Sequence, residues 1–287
     1  MKEYLSLIKF SHTIFALPFA MVGFALGTLT EGQVFEPYKL GLVLLCMVTA
    51  RSAAMAFNRY LDRDIDELNP RTKVREIPSG VISPQSALMF VVFNVILFAV
   101  ATYFINPLCF MLSPVALAVI LGYSYMKRIS ALCHLILGLG LALAPVGAYL
   151  AVTGSFALLP ILYGCAVMCW VSGFDIIYAL QDDAFDKSLS LHSIPVSLGR
   201  VGALRFSKIL HAACAIFMTM AAINLYKTFD VFYVIHFVGL LVFFILLLRQ
   251  HTLVKINDLS KIDLAFFTTN GIASCVYGVL FLLDIFC

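Results

Sequence analysis

The sequence predicts an all-α integral membrane protein with about nine transmembrane helices, and its composition and its long apolar runs carry this prediction. The chain has 287 residues, of which 62% are hydrophobic and 12% are charged. Soluble globular domains are about 45–50% apolar and about 25% charged, which excludes that class. A run of about 20 apolar residues spans a bilayer core. Nine runs approach this length: Ile14–Leu29, Leu40–Phe57, Ala87–Ile105, Leu108–Tyr125, Leu132–Val152, Leu158–Tyr178, Ile209–Leu225, Val231–Leu248 and Leu264–Phe286.

The first run begins like a signal peptide, because Lys2 and Lys9 precede it. No small-x-small cleavage pattern follows, whereas eight further apolar runs do, so a retained helix is the better interpretation. No hydrophilic stretch is long enough for a soluble domain, and we expect residues 1–287 to form one integral-membrane domain. Neither the cysteines nor the histidines have zinc-site spacing. We expect no nucleic-acid partner and no obligate protein partner.

The placement of basic residues predicts the orientation in the membrane. If the N-terminus is cytoplasmic, the inside segments are 1–13, 58–86, 126–131, 179–208 and 249–263. These segments contain 16 of the 19 Lys and Arg residues. Cytoplasmic loops of membrane proteins carry such an excess. We therefore expect the N-terminus in the cytoplasm and charged chemistry at the cytoplasmic face. The membrane is expected to be a bacterial inner (plasma) membrane.

The first acidic motif lies at the predicted cytoplasmic end of the second helix and reads N-R-Y-L-D-R-D-I-D. Asn58, Asp62 and Asp66 are spaced four apart, which places them on one face of a helix. Arg51 lies seven residues before Asn58 and extends the same stripe into the apolar span.

The second acidic motif lies at the end of the sixth helix and reads D-I-I-Y-A-L-Q-D-D-A-F-D. Asp175, Asp182 and Asp186 repeat the spacing of seven and then four, and Tyr178 lies on the flank of their face. The sixth helix is therefore predicted to end as the second does, which hints at an internal duplication.

Carboxylates on adjacent turns repel each other, and near the hydrocarbon they are costly. A divalent cation removes both problems, and Mg²⁺ is typically held by one or two carboxylates together with substrate phosphates. Two such pairs suit Mg²⁺ ions on one diphosphate, with Asn58, Asp62, Asp66, Asp182 and Asp186 as ligands. The alternative is a pair of solvated acidic helix ends. An EF-hand is excluded, because Glu67 and Lys73 occupy its Gly and closing Glu positions.

Basic residues near both motifs are candidates for contact with diphosphate, whose charge exceeds what the metal neutralises. They are Arg71, Lys73, Arg75 and Lys127, although ordinary positive-inside decoration also accounts for some of them. Arg51 lies inside an apolar span, where an arginine faces the bundle interior and has a partner. It is expected either to pair with a carboxylate such as Asp175 or to bind an acidic aromatic substrate.

At these residues the chain resembles the UbiA superfamily of intramembrane aromatic prenyltransferases. The resemblance covers nearly the whole chain and departs from the family at Ala50, where a Gly is frequent. It implies a ring of nine helices around a lipid-open central cavity, with Asp motifs that bind Mg²⁺–diphosphate. The matches are N-x-x-x-D-x-x-x-D at Asn58–Asp66, Y-x-x-x-D-x-x-x-D at Tyr178–Asp186, R-T-x-x-R-x-I-P-S-G at Arg71–Gly80 and Y-S-x-x-K-R at Tyr123–Arg128.

The resemblance implies a polyprenyltransferase of quinone biosynthesis that joins a polyprenyl diphosphate to 4-hydroxybenzoate or a dihydroxynaphthoate. Glu76, in place of a frequent Pro, favours the dihydroxynaphthoate subgroup. Asp62, Asp66, Asp182 and Asp186 would act in catalysis through the metal. Asp175 would orient or deprotonate the phenol, and Arg51 and Tyr178 would contact the aromatic acid. The alternatives are prenyl transfer in haem or lipid synthesis and, from another class, a secondary transporter, whose charges would lie near the bilayer midplane.

Overall fold

The computed structural model is all-α, as the sequence predicts. It describes residues 2–8, 15–30, 32–229, 234–256 and 258–286, and no β-strand occurs within them. The predicted starts of the first and eighth spans, Ile14 and Val231, lie outside the described residues. The helices are α1 Lys2–Leu7, α2 Leu17–Leu29, α3 Pro37–Leu61, α4 Arg63–Leu68, α5 Pro84–Ile105, α6 Pro107–Met126, α7 Cys133–Thr153, α8 Leu158–Ala179, α9 Asp183–Ser188, α10 Ile194–Thr228, α11 Ile235–Leu253, the π-helix Leu264–Thr268 and α12 Thr269–Phe286.

Eight of the described helices are long and apolar enough to cross a membrane. They are α3, α5, α6, α7, α8, α10, α11 and the π-helix continued by α12. The apolar helix α2 is shorter, with 13 residues. This protein is therefore an integral membrane protein, and the prediction of about nine spans is confirmed as an approximate count. The single domain and the central cavity stay predictions.

Helix starts follow from local sequence signals. Proline occupies the first turn of α2, α3, α5 and α10, where its missing N–H has no intrahelical partner in any case. Ser83 and Ser193 precede α5 and α10, and their hydroxyl oxygens accept hydrogen bonds from the N–H groups of Ser86 and Val196. Such caps satisfy backbone donors that would be costly in a membrane interface.

The described helices gather into two compact units. The first unit comprises residues 1–13 and 36–126 and contains α1 and α3–α6. Here α3 packs against α5 and α6, and small residues of α3, among them Ala53 and Ala56, are buried beside Leu7, Ile82 and Val91. The opposite faces of α5 and α6 expose large apolar side chains that suit a lipid environment, including Met89, Phe93, Ile96, Phe104, Met111 and Val115.

The second unit comprises residues 14–35 and 127–287 and contains α2 and α7–α12. Helix α8 is its centre, packed between α7 and α10. Glycines allow α2 to approach α7 closely: a Cβ at Gly23 would collide with the Pro145 carbonyl, and one at Gly27 with the Val152 side chain. Small residues at helix contacts serve this purpose in membranes, where van der Waals packing drives association.

A buried hydrogen-bond network links α8, α11 and α12 in the second unit. Trp170 Nε1–H and Gln250 Nε2–H both donate to Asn270 Oδ1, at 2.9 and 2.7 Å. The amide of Asn270 donates to the carbonyl of Phe266 at 2.7 Å, beside the π-helix whose wider turn frees backbone acceptors. An unpaired polar group costs roughly several kcal/mol of free energy in hydrocarbon. The three helices must therefore meet in an arrangement that keeps these hydrogen bonds.

The segment 179–208, expected as a cytoplasmic loop, is largely helical. It contains α9 and the first turns of α10, which is bent at Gly199. Gly199 has φ 65° and ψ 171°, a backbone conformation that L-residues with a Cβ rarely adopt. After the bend, Ala203, Ser207 and Leu210 are buried at helical spacing, while charged residues face outward. The prediction of a loop rested on the charged residues, which lie on the exposed face of this helix.

Candidate active site

The first acidic element is the junction between α3 and α4. Helix α3 ends at Leu61, and Asp62 has φ −90° and ψ 6°, after which α4 begins. The backbone bonds nevertheless keep helical spacing: Asp62 N–H donates to Asn58 O at 2.9 Å, and Asp66 N–H to Asp62 O at 2.7 Å. The Asn58 amide also donates to Asp62 Oδ2 at 3.0 Å. The three side chains therefore follow one another at one-turn intervals, as their spacing predicts.

Asp66 is buried and paired with Arg75. Nη1 of Arg75 donates to both carboxylate oxygens, at 2.6 and 2.7 Å, and the two side chains are 7% and 22% exposed. The turn between them is tied down, since Thr72 Oγ1 donates to the Asp66 carbonyl at 3.0 Å. Arg71 and Lys73, the other predicted diphosphate contacts of this segment, are exposed.

The second acidic element lies between α8 and α9. Asp182 has φ −108° and ψ 5°, and Asp186 N–H donates to Asp182 O at 2.7 Å. Both short helices thus have six residues, begin after an aspartate of similar backbone conformation, and carry a buried aspartate one turn later. The recurrence seen in the sequence extends to the local backbone.

The predicted continuous stripe from Asp175 to Asp186 is wrong in one respect. Helix α8 ends at Ala179, and the N–H groups of Leu180, Gln181 and Asp182 donate to carbonyls three residues earlier rather than four. Three residues of this tighter turn advance by about 120° each rather than about 100°, so Asp182 is rotated by roughly 60° from the face of Asp175.

Asp186 is the most buried of the predicted metal ligands, and Nζ of Lys127 lies 2.7 Å from its Oδ1. Neither carboxylate oxygen accepts a well-aligned hydrogen bond from a described residue. Burial raises the pKa of Asp186 above its usual range, and the Lys127 ammonium opposes that rise. Lys127 is itself fixed by a backbone contact, since His192 N–H donates to its carbonyl at 2.8 Å. Two predicted site residues are therefore in direct contact.

Asp183 has a different environment from its neighbours. Nε and Nη2 of Arg200 donate to its two carboxylate oxygens at 2.6 and 3.0 Å. These hydrogen bonds hold the pKa of the Asp183 carboxyl below its usual range. The pair ties α9 to the start of α10.

The residues predicted to contact the aromatic acid lie within the apolar helices α3 and α8. Tyr178 stacks on Phe266 with ring centroids 4.1 Å apart. Nε of Arg51 is buried and has no hydrogen-bond partner among the described residues. Asp175 Oδ2 lies 2.7 Å from Nδ1 of His134, so its described partner is an imidazole.

Sequence reasoning did not single out His134 or Arg59. The Arg59 side chain is buried, and its Nε is likewise unpartnered among the described residues. His134 stands alone in an apolar span, 41 residues from its partner, and no local pattern marks it. Arg59 follows Asn58 directly, and this position within the acidic motif is the sequence feature that could have identified it as a candidate site residue.

The donor set fits Mg²⁺. Each acidic element offers two carboxylates, and the first adds an amide, all of them oxygen ligands of the kind that Mg²⁺ takes. Within the described residues, no group of three or more His, Cys, Asp or Glu side chains is placed to hold a metal alone. A pair is what Mg²⁺ requires when waters and substrate phosphates complete its shell. The buried Asp186 oxygens, which lack aligned donors, would gain ligand contacts from such an ion.

Comparison with known proteins agrees with this geometry. Residues 16–272 match the model of the UbiA prenyltransferase family. The chain belongs to this family. A UbiA homolog from Aeropyrum pernix K1, solved in its apo form, is 32% identical, with a TM-score of 0.84 over 96% of this chain and 98% of its own. A UbiA homolog from Archaeoglobus fulgidus bound to GPP and Mg²⁺ shares the fold at 22% identity, with a TM-score of 0.73 over 99% of this chain and 100% of its own.

Among curated relatives, a 4-hydroxybenzoate octaprenyltransferase from Serratia proteamaculans is 33% identical over 56% of this chain and 57% of its own length. One from Vesicomyosocius okutanii is 28% identical over 82% of this chain and 83% of its own. The chain thus spans a little over half of the first relative and most of the second. The predicted family is confirmed, and a prenyltransferase is confirmed at the level of that family. The four aspartates Asp62, Asp66, Asp182 and Asp186 lie beyond the ends of α3 and α8.

Proposed function

We propose that this chain transfers a polyprenyl group from a polyprenyl diphosphate to an aromatic acid in a Mg²⁺-dependent reaction of ubiquinone or menaquinone biosynthesis. The acceptor would be 4-hydroxybenzoate or a dihydroxynaphthoate. The names of the curated relatives support an aromatic acid of this class. The GPP and Mg²⁺ bound to the Archaeoglobus homolog support a prenyl diphosphate and a divalent metal.

One observation carries the proposal: the two acidic elements have the same construction. Each places two aspartates one turn apart after a long apolar helix, and in each the second aspartate is buried against a basic side chain. In such a pair a metal ion can replace the basic side chain at the buried carboxylate. The basic side chain, which is partly exposed, can then turn to bind a phosphate of the substrate. Arg75 and Lys127 hold these positions.

In the mechanism, the metal would neutralise the diphosphate and act as a Lewis acid on the leaving group. Its ligands from this chain would be Asn58, Asp62, Asp66, Asp182 and Asp186. The basic side chains would bind the diphosphate oxygens and offset the charge that grows as the allylic C–O bond breaks. These are Arg71, Lys73, Arg75 and Lys127.

The aromatic acid would bind beside residues within the apolar helices α3 and α8, rather than at the acidic elements beyond their ends. The unpartnered Nε–H of Arg51 is a donor for its carboxylate, and a charge-assisted bond of this kind is stronger than a neutral one. Asp175 would orient the phenol or accept its proton, which raises the electron density of the ring carbon that attacks the prenyl group. Tyr178, held by its stack on Phe266, would contact the ring.

We further propose that the protein lies in a bacterial inner membrane with its N-terminus and the diphosphate site at the cytoplasmic face. The test uses two exposed serines, Ser79 and Ser155, each changed to cysteine in a chain whose native cysteines are replaced. In intact spheroplasts, a membrane-impermeant maleimide should label S155C, and S79C only after lysis. The opposite labelling would overturn the orientation.

The activity itself is tested in membranes that contain the chain, with one labelled polyprenyl diphosphate and a panel of aromatic acids. We expect Mg²⁺-dependent prenylation of 4-hydroxybenzoate or a dihydroxynaphthoate. Asp62→Asn should abolish it. Asp64→Asn is the matched control, because it makes the same charge change at an exposed side chain two residues away, and it should retain activity.

Two outcomes would contradict the proposal. If Asp62→Asn keeps near-normal activity, the metal assignment is wrong. If no aromatic acid is prenylated while a haem precursor or a lipid alcohol is, the substrate class is wrong although the family chemistry stands.

A further inference from the structure

His134 is a buried imidazole at the start of α7 that connects three helices. Its Nδ1 lies 2.7 Å from Asp175 Oδ2 on α8, and the two side chains are 5% and 22% exposed. Its Nε2 lies 3.3 Å from the backbone nitrogen of Ile194, the first residue of α10. One ring thus links α7, α8 and the start of α10.

The backbone contact fixes which nitrogen carries the proton. The Ile194 N–H is a donor and has no other role, so Nε2 must accept it with a lone pair. The proton of the neutral imidazole then lies on Nδ1, from which it is donated to the Asp175 carboxylate. The hydrogen bond made by one ring nitrogen of a histidine sets which nitrogen carries the proton. Here the bond to Ile194 N–H leaves Nδ1–H to donate to Asp175.

Close helix packing makes the pair rigid. Gly138 lies one turn after His134, and a Cβ there would collide with the Ser172 hydroxyl and the Met168 carbonyl on α8. Ser172 Oγ lies within hydrogen-bond distance of two carbonyl oxygens, those of His134 at 3.0 Å and Met168 at 2.6 Å. The close contact at Gly138 therefore sets the separation of α7 and α8 beside the pair.

Only one oxygen of the Asp175 carboxylate is hydrogen-bonded to a described residue. Its Oδ2 takes the imidazole, whereas Oδ1 accepts no hydrogen bond from any residue that the structure describes. A carboxylate held at one oxygen presents the other in a defined direction.

We propose that His134 is a positioning residue for the aromatic acceptor, which acts by holding Asp175 so that its Oδ1 accepts a hydrogen bond from the acceptor's hydroxyl group. This inference rests on the proposed function. It assigns a purpose to a buried polar pair inside an apolar span, where such groups are costly and are retained for function. It also explains why the loop before α10 closes onto α7 through Ile194.

The test compares two amide replacements, His134→Asn and His134→Gln. The side-chain N–H of asparagine reaches the position of Nδ1 and can still donate to Asp175. The longer glutamine places its amide near Nε2, facing the Ile194 backbone. His134→Phe keeps the ring volume and removes both contacts. For each variant, membranes provide kcat and the KM values for the aromatic acid and for the prenyl diphosphate.

We expect His134→Gln and His134→Phe to lower kcat/KM for the aromatic acid about 10-fold or more, as the loss of one charge-assisted hydrogen bond predicts. The KM for the prenyl diphosphate and the Mg²⁺ activation profile should change less than about twofold, and His134→Asn should recover most of the loss. Combined with Asp175→Asn, His134→Phe should add little, because both act through one carboxylate.

Equal losses in the Asn and Gln variants would overturn the inference, as would a fully additive double variant or a rise confined to the KM for the prenyl diphosphate. Thermal melting of the purified variants in detergent identifies any that fail to fold. The Asn–Gln comparison then decides, since both are amides of similar polarity. If the wild type prenylates no aromatic acid, the proposed function fails. If it is active and His134→Gln equals it, only the positioning role fails.

Discussion

The contact between Asp66 and Arg75 allows a quantitative prediction about the empty and the loaded site. Arg75→Gln removes the cation whose Nη1 donates to both oxygens of a carboxylate that is 7% exposed. Breaking a buried pair costs about 3–5 kcal/mol, because one charge stays behind uncompensated. Since Arg75 is 22% exposed and water can reach its site, we expect about 2 kcal/mol of lost unfolding free energy without Mg²⁺.

The assay is thermal unfolding of the purified protein in detergent, with and without Mg²⁺ and an unreactive prenyl diphosphate analogue. Asp66→Asn should recover much of the loss when added to Arg75→Gln, because the stranded charge is removed, which gives a coupling of about 2 kcal/mol. Mg²⁺ with the analogue should shrink the defect of Arg75→Gln, since the metal supplies the missing positive charge. A coupling below about 0.5 kcal/mol, or a defect that the metal leaves unchanged, would refute this reasoning.

Two further predictions concern the metal and the second acidic element. Chelation of Mg²⁺ by EDTA should reduce prenyl transfer at least about 100-fold, reversibly on Mg²⁺ addition, because a Lewis-acid metal contributes several kcal/mol. Activity in EDTA would contradict the metal role. Lys127→Gln should raise the KM for the prenyl diphosphate about 10-fold, as the loss of one charged hydrogen bond predicts, with the KM for the aromatic acid unchanged. A change in the KM for the aromatic acid alone would place Lys127 elsewhere.

The fold could be predicted to the level of helices from hydropathy alone, because a bilayer requires each span to satisfy its own backbone. The helix prediction was wrong where charged residues lie on the outer face of a helix. Arg200 and Lys208 made 179–208 look like a loop, although the buried spacing of Ala203 and Ser207 belongs to an amphipathic helix. The bend of α10 at Gly199, where φ is positive, could not be predicted from hydropathy either.

The site could be predicted in part, for a physical reason. Contacts between residues four apart are written in the local sequence, so Asn58, Asp62 and Asp66 could be placed from spacing alone. Contacts between distant segments depend on packing. The His134–Asp175 pair spans 41 residues and depends on the close approach of α7 and α8 at a glycine, which no periodicity reveals.

Asp182 and Asp183 show the same limit within two adjacent residues. In sequence they are equivalent carboxylates, yet both oxygens of Asp183 are held by Arg200, whereas Asp182 is the residue before the short helix that carries the buried Asp186. Neutralising the two should therefore have opposite effects. The side chains of Asp183 and Arg200 are 17% and 39% exposed, so the value of their pair is limited to about 1 kcal/mol by solvent.

We accordingly expect Asp183→Asn to lower unfolding stability by about 1 kcal/mol and to keep prenyl transfer within about threefold of the wild type. Asp182→Asn should keep stability and lose at least about 100-fold in activity, because a metal ligand is removed. Arg200→Gln is the matched control: it should reproduce the Asp183→Asn defect and add nothing to it. If Asp183→Asn proves as inactive as Asp182→Asn while still folded, the ion pair is not the purpose of Asp183, and it belongs among the metal ligands.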